Sequence, residues 1–245
     1  MSKKNKVSVI LKKIHNKLNL RDFLDDLEKD KTFLENINKA IKKNKIFKKR
    51  SFDSIYDFSV YRNFIYSLIR NKKPNVVLET GVLHGLTSAW ILKALKDNGH
   101  GKLISIDLPR RDWAEHFGKK SFGPGGENEF EIEDKNPGWI IPNDLLKFWQ
   151  LYLGPSSKYL ERIISENNNI ELFIHDSDHS YEVMKFECDL VQTKLQNIDI
   201  IIDDHYCNDF YKDFSLNFNR EFIKIDDVND DLEQVEGSVY YPNLK

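Results

Sequence analysis

The stretch Val76-Val77-Leu78-Glu79-Thr80-Gly81-Val82-Leu83-His84-Gly85-Leu86-Thr87-Ser88 decides the fold. A short β-branched apolar run closes on an acid, a turn with two glycines follows, and Thr87 and Ser88 open a helical pattern. Twenty-six residues beyond Gly81, a second apolar run, Leu103-Ile104-Ser105-Ile106, closes on Asp107. Strand, glycine turn, helix, strand and acid make the unit that holds a nucleoside at the carboxyl edge of a parallel sheet. In this reading Gly81 lets the backbone approach the ligand. The helix start at Gly85, Thr87 and Ser88 offers free N–H groups, and Asp107 accepts from two ribose hydroxyls.

The turn departs from the dinucleotide pattern. Its glycines are spaced G-x-x-x-G, not G-x-G-x-x-G, and Glu79 stands just ahead of them. A carboxylate there repels a pyrophosphate and suits a cation, and S-adenosylmethionine carries a sulfonium and an amino group. The plain alternative is a βαβ turn with a chance acid. Two acids at matched strand ends favour the nucleoside site.

From this centre the chain reads outward as alternating strands and helices. Strands are predicted near 75–80, 102–107, 150–153, 170–175 and 198–203, and helices near 57–70, 86–97, 142–149, 157–166 and 180–195. Such alternation implies a doubly wound, Rossmann-like α/β sheet, mostly parallel, with helices on both faces. Past Asp204 the pattern changes. Phe222-Ile223-Lys224-Ile225 and Ser238-Val239-Tyr240-Tyr241 read as two further strands that close the sheet as an antiparallel hairpin edge. Before the sheet, apolar residues at helical spacing (Ile10, Ile14, Leu18; Phe23, Leu24, Leu27; Phe33, Leu34, Ile37, Ile41) predict two or three amphipathic helices. The expected division is an N-terminal helical cap over 1–54 and a main domain over 55–245. The irregular stretch 109–141 falls where a substrate-covering loop would sit, with Trp113, Phe122 and Trp139 as candidate apolar contacts.

Composition narrows the class. The 245 residues, 40% hydrophobic and 31% charged, suit one α/β domain with a modest extra segment. Two cysteines, Cys188 and Cys207, make neither a disulfide framework nor a metal-ligand spacing, so a cytoplasmic location is expected. No run of 18 apolar residues or signal-type core is present, and no membrane span is expected. The net charge of −2 hides an asymmetry, since residues 1–50 hold 16 Lys/Arg against 6 Asp/Glu. Aromatic residues are not interleaved with these cations, which argues against a nucleic-acid partner and for solvated helix faces. A homo-oligomer is compatible with the sequence.

The fourth strand ends in His175-Asp176-Ser177-Asp178-His179-Ser180-Tyr181 and the fifth in Asp203-Asp204-His205. In a parallel sheet these ends share the edge that carries Glu79 and Asp107. Carboxylates converging there repel one another unless a cation intervenes. The set suits Mg²⁺ or Mn²⁺, and mixed Asp/His ligation admits a transition metal. The plain alternative is helix capping by Asp176, Ser177, Asp178 or Asp203.

With Glu79-Thr80-Gly81, Ser105-Ile106-Asp107-Leu108-Pro109, Leu153-Gly154-Pro155-Ser156 and His175-Asp176-Ser177-Asp178-His179-Ser180-Tyr181-Glu182 in order, residues 55–210 resemble the class I S-adenosylmethionine-dependent methyltransferases. The similarity is greatest to small bacterial "methyltransferase domain" proteins related to metal-dependent O-methyltransferases. The resemblance implies a seven-stranded sheet ending in a hairpin. It implies that Glu79 and Gly81 hold the methionine end of the cofactor and Asp107 its ribose, with Gly85, Thr87, Ser88 and Asp176 around it. It implies Mg²⁺ or Mn²⁺ on Asp176, Asp203 and Asp204. Asp204 departs from the catechol-type pattern, which often has Asn there, and His175 is an addition. The expected activity is O-methylation of a small-molecule acceptor or sugar hydroxyl, with His179 or His205 as base or a metal in its place. The alternatives are a metal-dependent phosphoester hydrolase using the Asp/His cluster, or a non-catalytic ligand-binding protein.

Overall fold

Alternation along β1 (Val76–Thr80) sorts the molecule into layers. Val76 and Leu78 enter one apolar cluster and Val77 the opposite one. β2 (Lys102–Asp107) repeats this, with Ile104 and Ile106 on one face and Leu103 on the other. The arrangement is seen in a computed structural model that describes residues 1–44, 52–109, 112 and 136–243.

Three further strands follow in the parallel part: β3 (Trp149–Leu153), β4 (Ile170–His175) and β5 (Asp199–Ile202). β6 (Ile223–Val228) and β7 (Gln234–Tyr241) complete a seven-stranded sheet of order β3-β2-β1-β4-β5-β7-β6. β7 runs antiparallel to β5 and to β6, which gives the expected hairpin edge. The order reverses between β2-β1 and β4, and that switch point is where an open α/β sheet leaves a crevice for a ligand.

One face carries α1 (Lys3–Leu18), α2 (Leu24–Lys29), α3 (Lys31–Asn44), α4 (Val60–Lys72) and α5 (Leu86–Asn98). Val7, Leu11, Ile37 and Ile41 of the N-terminal helices share one apolar cluster with Phe64 of α4 and Trp90 of α5. The buried Lys93 of α5 reaches Asp30, between α2 and α3, at 3.0 Å and Asp97 at 2.5 Å. The other face carries α6 (Ser156–Glu166), α7 (Tyr181–Lys194) and α8 (Phe210–Phe218), which pack Leu160, Met184, Cys188 and Phe214 against β1, β2, β4 and β5.

Two elements differ from expectation. The helix predicted over 142–149 is a 3-10 turn, Asn143–Phe148. It starts at Pro142, makes an i+3 bond from Leu145 N–H to the Pro142 carbonyl (3.0 Å), and runs directly into β3. Helix α8 lacks a sequence prediction because its buried face is aromatic (Phe210, Tyr211, Phe214), a composition common in strands. Among the described residues no helix is long and apolar enough to cross a membrane.

Candidate active site

Period-2 alternation sends consecutive residues at the end of β1 to opposite faces. Glu79 turns toward α5 and is fully buried. Its Oε2 accepts from Ser88 Oγ on α5 and Ser105 Oγ on β2, both at 2.7 Å. Trp149 Nε1 donates to the same Ser105 hydroxyl at 2.9 Å, so the rim of β3 braces it. Glu79 Oε1 is buried with no hydrogen-bond partner among the described residues. Burial pushes the Glu79 pKa up to about 7, against the two hydroxyls, with the Asp107 charge adding to the rise.

Thr80 turns the other way. Its hydroxyl donates to Glu187 on α7 at 2.5 Å, and His175 Nδ1 meets the same oxygen at 2.7 Å. Ser177 Oγ adds a bond at 3.0 Å. Glu187 is wholly buried, and burial alone would raise its pKa. The His175 charge and these hydrogen bonds outweigh that and hold it below the ordinary value. This buried carboxylate ties β1, β4 and α7 together beneath the site. Sequence reading missed it, although the signal was present: Glu187 stands among Met184, Cys188 and Val191 on the apolar face of α7.

Gly81 has φ +85, and a Cβ there would stand 1.8 Å from the Asp176 carbonyl oxygen. The glycine is therefore required by the protein itself, because the turns after β1 and β4 touch. Gly85 (φ +89) caps α5, and a Cβ there would meet Gly138 at 2.7 Å. Asp107 Oδ2 accepts the Leu83 N–H at 3.0 Å, and the Val82 and Leu108 amides also hold its carboxylate. Burial nevertheless raises its pKa to about 7. Ser88 faces inward to Glu79, and Thr87 Oγ1 reaches Asp176 at 3.4 Å.

The β4 and β5 ends are less compensated. Burial raises the Asp176 pKa well above normal, and the Asp203 charge raises it further, with Arg62 opposing. Asp204 is raised to about 6 by burial and by Asp203. Ser238 Oγ of β7 donates to Asp203 Oδ1. His179 Nδ1 stands 3.6 Å from Asp204, but burial and the neighbouring His175 lower its pKa to about 4, so the contact is not an ion pair near neutrality. His205 is buried with Nδ1 2.9 Å from the Gly237 carbonyl. A carbonyl only accepts, so Nδ1 carries a proton. Among the described residues, neither His179 Nε2 nor His205 Nε2 has a partner.

Capping does not account for these acids. Ser180 is the N-cap of α7 and makes no side-chain cap bond, while Asp178 accepts the Ser180 N–H at 2.7 Å. Asp204 precedes the 3-10 turn His205–Cys207 in the left-handed region (φ 47), also without a side-chain cap bond. One ring nitrogen of His179, a carboxylate oxygen of Asp204 and Cys207 Sγ lie within 4.8 Å of one another; Asp176 and Asp203 are not in this group. Cys207 entered no metal reading of the sequence, since the two cysteines lack ligand spacing and the grouping exists only in three dimensions.

A cavity of about 380 Å³ opens beside the β5 acids. It is lined by Asp203 and Asp204, by Tyr61 and Arg62 of α4, by the β6–β7 hairpin and by Lys3. The Tyr61 hydroxyl is buried without a partner among the described residues. Burial and the charges of Asp203, Asp176 and Glu79 raise its pKa well above normal. Trp139 donates from Nε1 to His84 Nδ1 at 3.1 Å, and Trp113 and Phe122 lie outside the described residues.

This strand order, the acids at the switch point and the antiparallel seventh strand define a class I S-adenosylmethionine-dependent methyltransferase fold. A family profile described as "Methyltransferase domain" matches residues 78–205, and the chain belongs to that family. No curated protein matches the sequence. The O-methyltransferase from Bacillus cereus, solved in complex with SAH, is similar at 15% identity and a TM-score of 0.53, over 88% of this chain and 92% of that one. The O-methyltransferase TomG from Streptomyces achromogenes, involved in tomaymycin synthesis and solved with SAM, is similar at 12% identity and a TM-score of 0.55, over 91% and 94%. At these identities the likeness is one of fold.

Proposed function

We propose that the protein transfers a methyl group from S-adenosylmethionine to a hydroxyl of a small molecule or sugar. The observation that supports this most directly is Glu79 Oε1, a buried carboxylate oxygen at the switch point without a partner among the described residues. The amino group of the donor would satisfy it. In this reading Glu79, Gly81, Gly85, Thr87, Asp107 and Asp176 surround the cofactor, and Ser88 acts by orienting Glu79. The Val82, Leu83 and Leu108 amides hold the Asp107 carboxylate in place, and in this reading it accepts from the ribose hydroxyls.

The acceptor occupies the cavity beside Asp203 and Asp204, to which the 1–54 segment contributes Lys3 and Phe52 and the 55–245 domain the rest. Its oxygen attacks the sulfonium methyl carbon, the C–S bond breaks with its electron pair going to sulfur, and the hydroxyl proton leaves to a base. His205 is one candidate base, its ring oriented by the carbonyl of Gly237, a residue that lines this cavity. His179 remains a second candidate.

The resemblance also brings Mg²⁺ or Mn²⁺ to Asp176, Asp203 and Asp204. The donor chemistry fits in charge, since the Asp203 charge raises the pKa of both neighbours and a dication would relieve this. Such an ion would supply Lewis-acid activation of the acceptor hydroxyl. Calorimetric titration with S-adenosylhomocysteine tests the core of the proposal, and absence of binding overturns it. Methyl transfer to a hydroxyl panel, with and without EDTA, then identifies the acceptor and the need for a metal.

A further inference from the structure

The metal-ligating atoms that gather most closely belong to three elements. His179 precedes α7, Asp204 follows β5, and Cys207 ends the 3-10 turn beyond it. Around a tetrahedral ion with bonds of ~2.0–2.3 Å, ligand atoms stand ~3.3–3.8 Å apart. A set already within 4.8 Å therefore needs to close by about 1.5 Å at most. Cys207 is exposed, so rotation of its side chain meets no packing cost. The His179 backbone is held by Asn208 Nδ2, which donates to its carbonyl at 2.8 Å. The His179 ring nitrogen that faces Asp204 is Nδ1, at 3.6 Å.

The donor types select the ion. One nitrogen, one oxygen and one sulfur suit a borderline transition-metal dication, whereas Mg²⁺ takes oxygen donors and retains water. Three protein ligands also leave a fourth position open, the arrangement of reactive zinc sites.

We propose that His179, Asp204 and Cys207 form a binding site for Zn²⁺ or a similar transition-metal dication, with its open position at the edge of the cavity that Asp204 lines. The site shares Asp204 with the all-carboxylate set, so an ion bound here excludes Mg²⁺ from using that side chain. It involves none of the residues assigned to the methyl donor and stands apart from that assignment.

The test uses the full chain, stripped of metal by a chelator and titrated with Co²⁺ under reducing conditions. One equivalent should produce a thiolate-to-cobalt charge-transfer absorption, which Zn²⁺ then abolishes by displacement. Cys207→Ser should lose that absorption and bind Zn²⁺ at least tenfold more weakly, with an unchanged circular dichroism spectrum. His179→Gln should weaken Zn²⁺ similarly. Cys188 is buried in the core, so it offers no competing thiolate to the ion. An absent absorption band, a band that persists in Cys207→Ser, or Zn²⁺ affinity unchanged in both variants overturns the proposal. Zn²⁺ binding without S-adenosylhomocysteine binding would keep this site and overturn the methyltransferase reading instead.

Discussion

The two halves of the sheet's carboxyl edge handle their acids differently. On the β1–β2 side, protein donors hold each carboxylate: two serines on Glu79, and turn amides on Asp107. On the β4–β5 side, Asp203 raises the pKa of Asp176 and Asp204, while histidine nitrogens stand without partners among the described residues. The first half is preorganised, with its geometry set before any ligand arrives. The second keeps electrostatic conflict that a cation or a substrate would relieve. Binding should therefore depend mainly on the first half and turnover on the second.

One contact between the halves is steric, and it gives the largest expected effect. Gly81→Ala would place a methyl group 1.8 Å from the Asp176 carbonyl, at a φ that side chains avoid. The two turns would have to part, at a cost of about 4 kcal/mol or more. Denaturant unfolding measures this. A loss under about 1 kcal/mol would mean that the halves are not in register as described.

Glu79 sharpens the comparison through pH. Its folded pKa of about 7 lies above the ordinary 4.5, so the native state binds the extra proton between those values. Stability conferred on the ligand-free protein is therefore lost as pH rises through that window, by about 3 kcal/mol at most, and is level above it. Glu79→Gln should make the profile shallower, leaving the share that Asp107 contributes over the same range, and be the more stable protein near pH 8, while binding S-adenosylhomocysteine more weakly. Thermal melts across pH decide it. An identical slope in the variant would place the titration elsewhere.

How far the sequence reached also differs between the halves. Glu79, Gly81 and Asp107 were legible because each ends or follows a strand at a fixed interval, and a local pattern suffices to place them. The strands themselves were legible from their apolar runs, down to the bounds of β2 and β4. The structural demand for Gly81 was not legible, because the group that excludes a side chain is the backbone of Asp176, 95 residues away. On the β4–β5 side, Asp176, Asp203 and Asp204 could be named, but their surroundings could not. Tyr61, Arg62 and the β6–β7 hairpin reach the cavity only through packing. Tyr61 reads as one more member of the buried face of α4, and nothing local marks its hydroxyl as facing carboxylates.

A smaller loss is expected from Asp107→Ala. On the proposed placement of the cofactor it removes a charge-assisted bond to the ribose, worth roughly 1.5–3 kcal/mol, so affinity for S-adenosylhomocysteine should fall at least tenfold. It also frees the Leu83 amide, and the variant should melt somewhat lower for that reason. Calorimetry separates the two effects. Unchanged affinity with a lowered melting point would leave Asp107 a purely structural cap on the turn.

The smallest effect is expected at Thr87, where a hydroxyl at the start of α5 spans the two halves to Asp176. At 3.4 Å the bond is long, and burial and the Asp203 charge push the Asp176 pKa well above normal, which weakens charge assistance. Thr87→Val keeps the shape and removes the bond, at a cost of about 0.5 kcal/mol. Donor affinity should move less than threefold if the halves act independently. A tenfold loss would show that Asp176 is aligned for the cofactor through Thr87, and would join the two halves into one binding unit. Repeating the titration with a divalent cation present sharpens the outcome. An ion that ionises Asp176 would strengthen the bond from Thr87, so the Thr87→Val penalty should then grow.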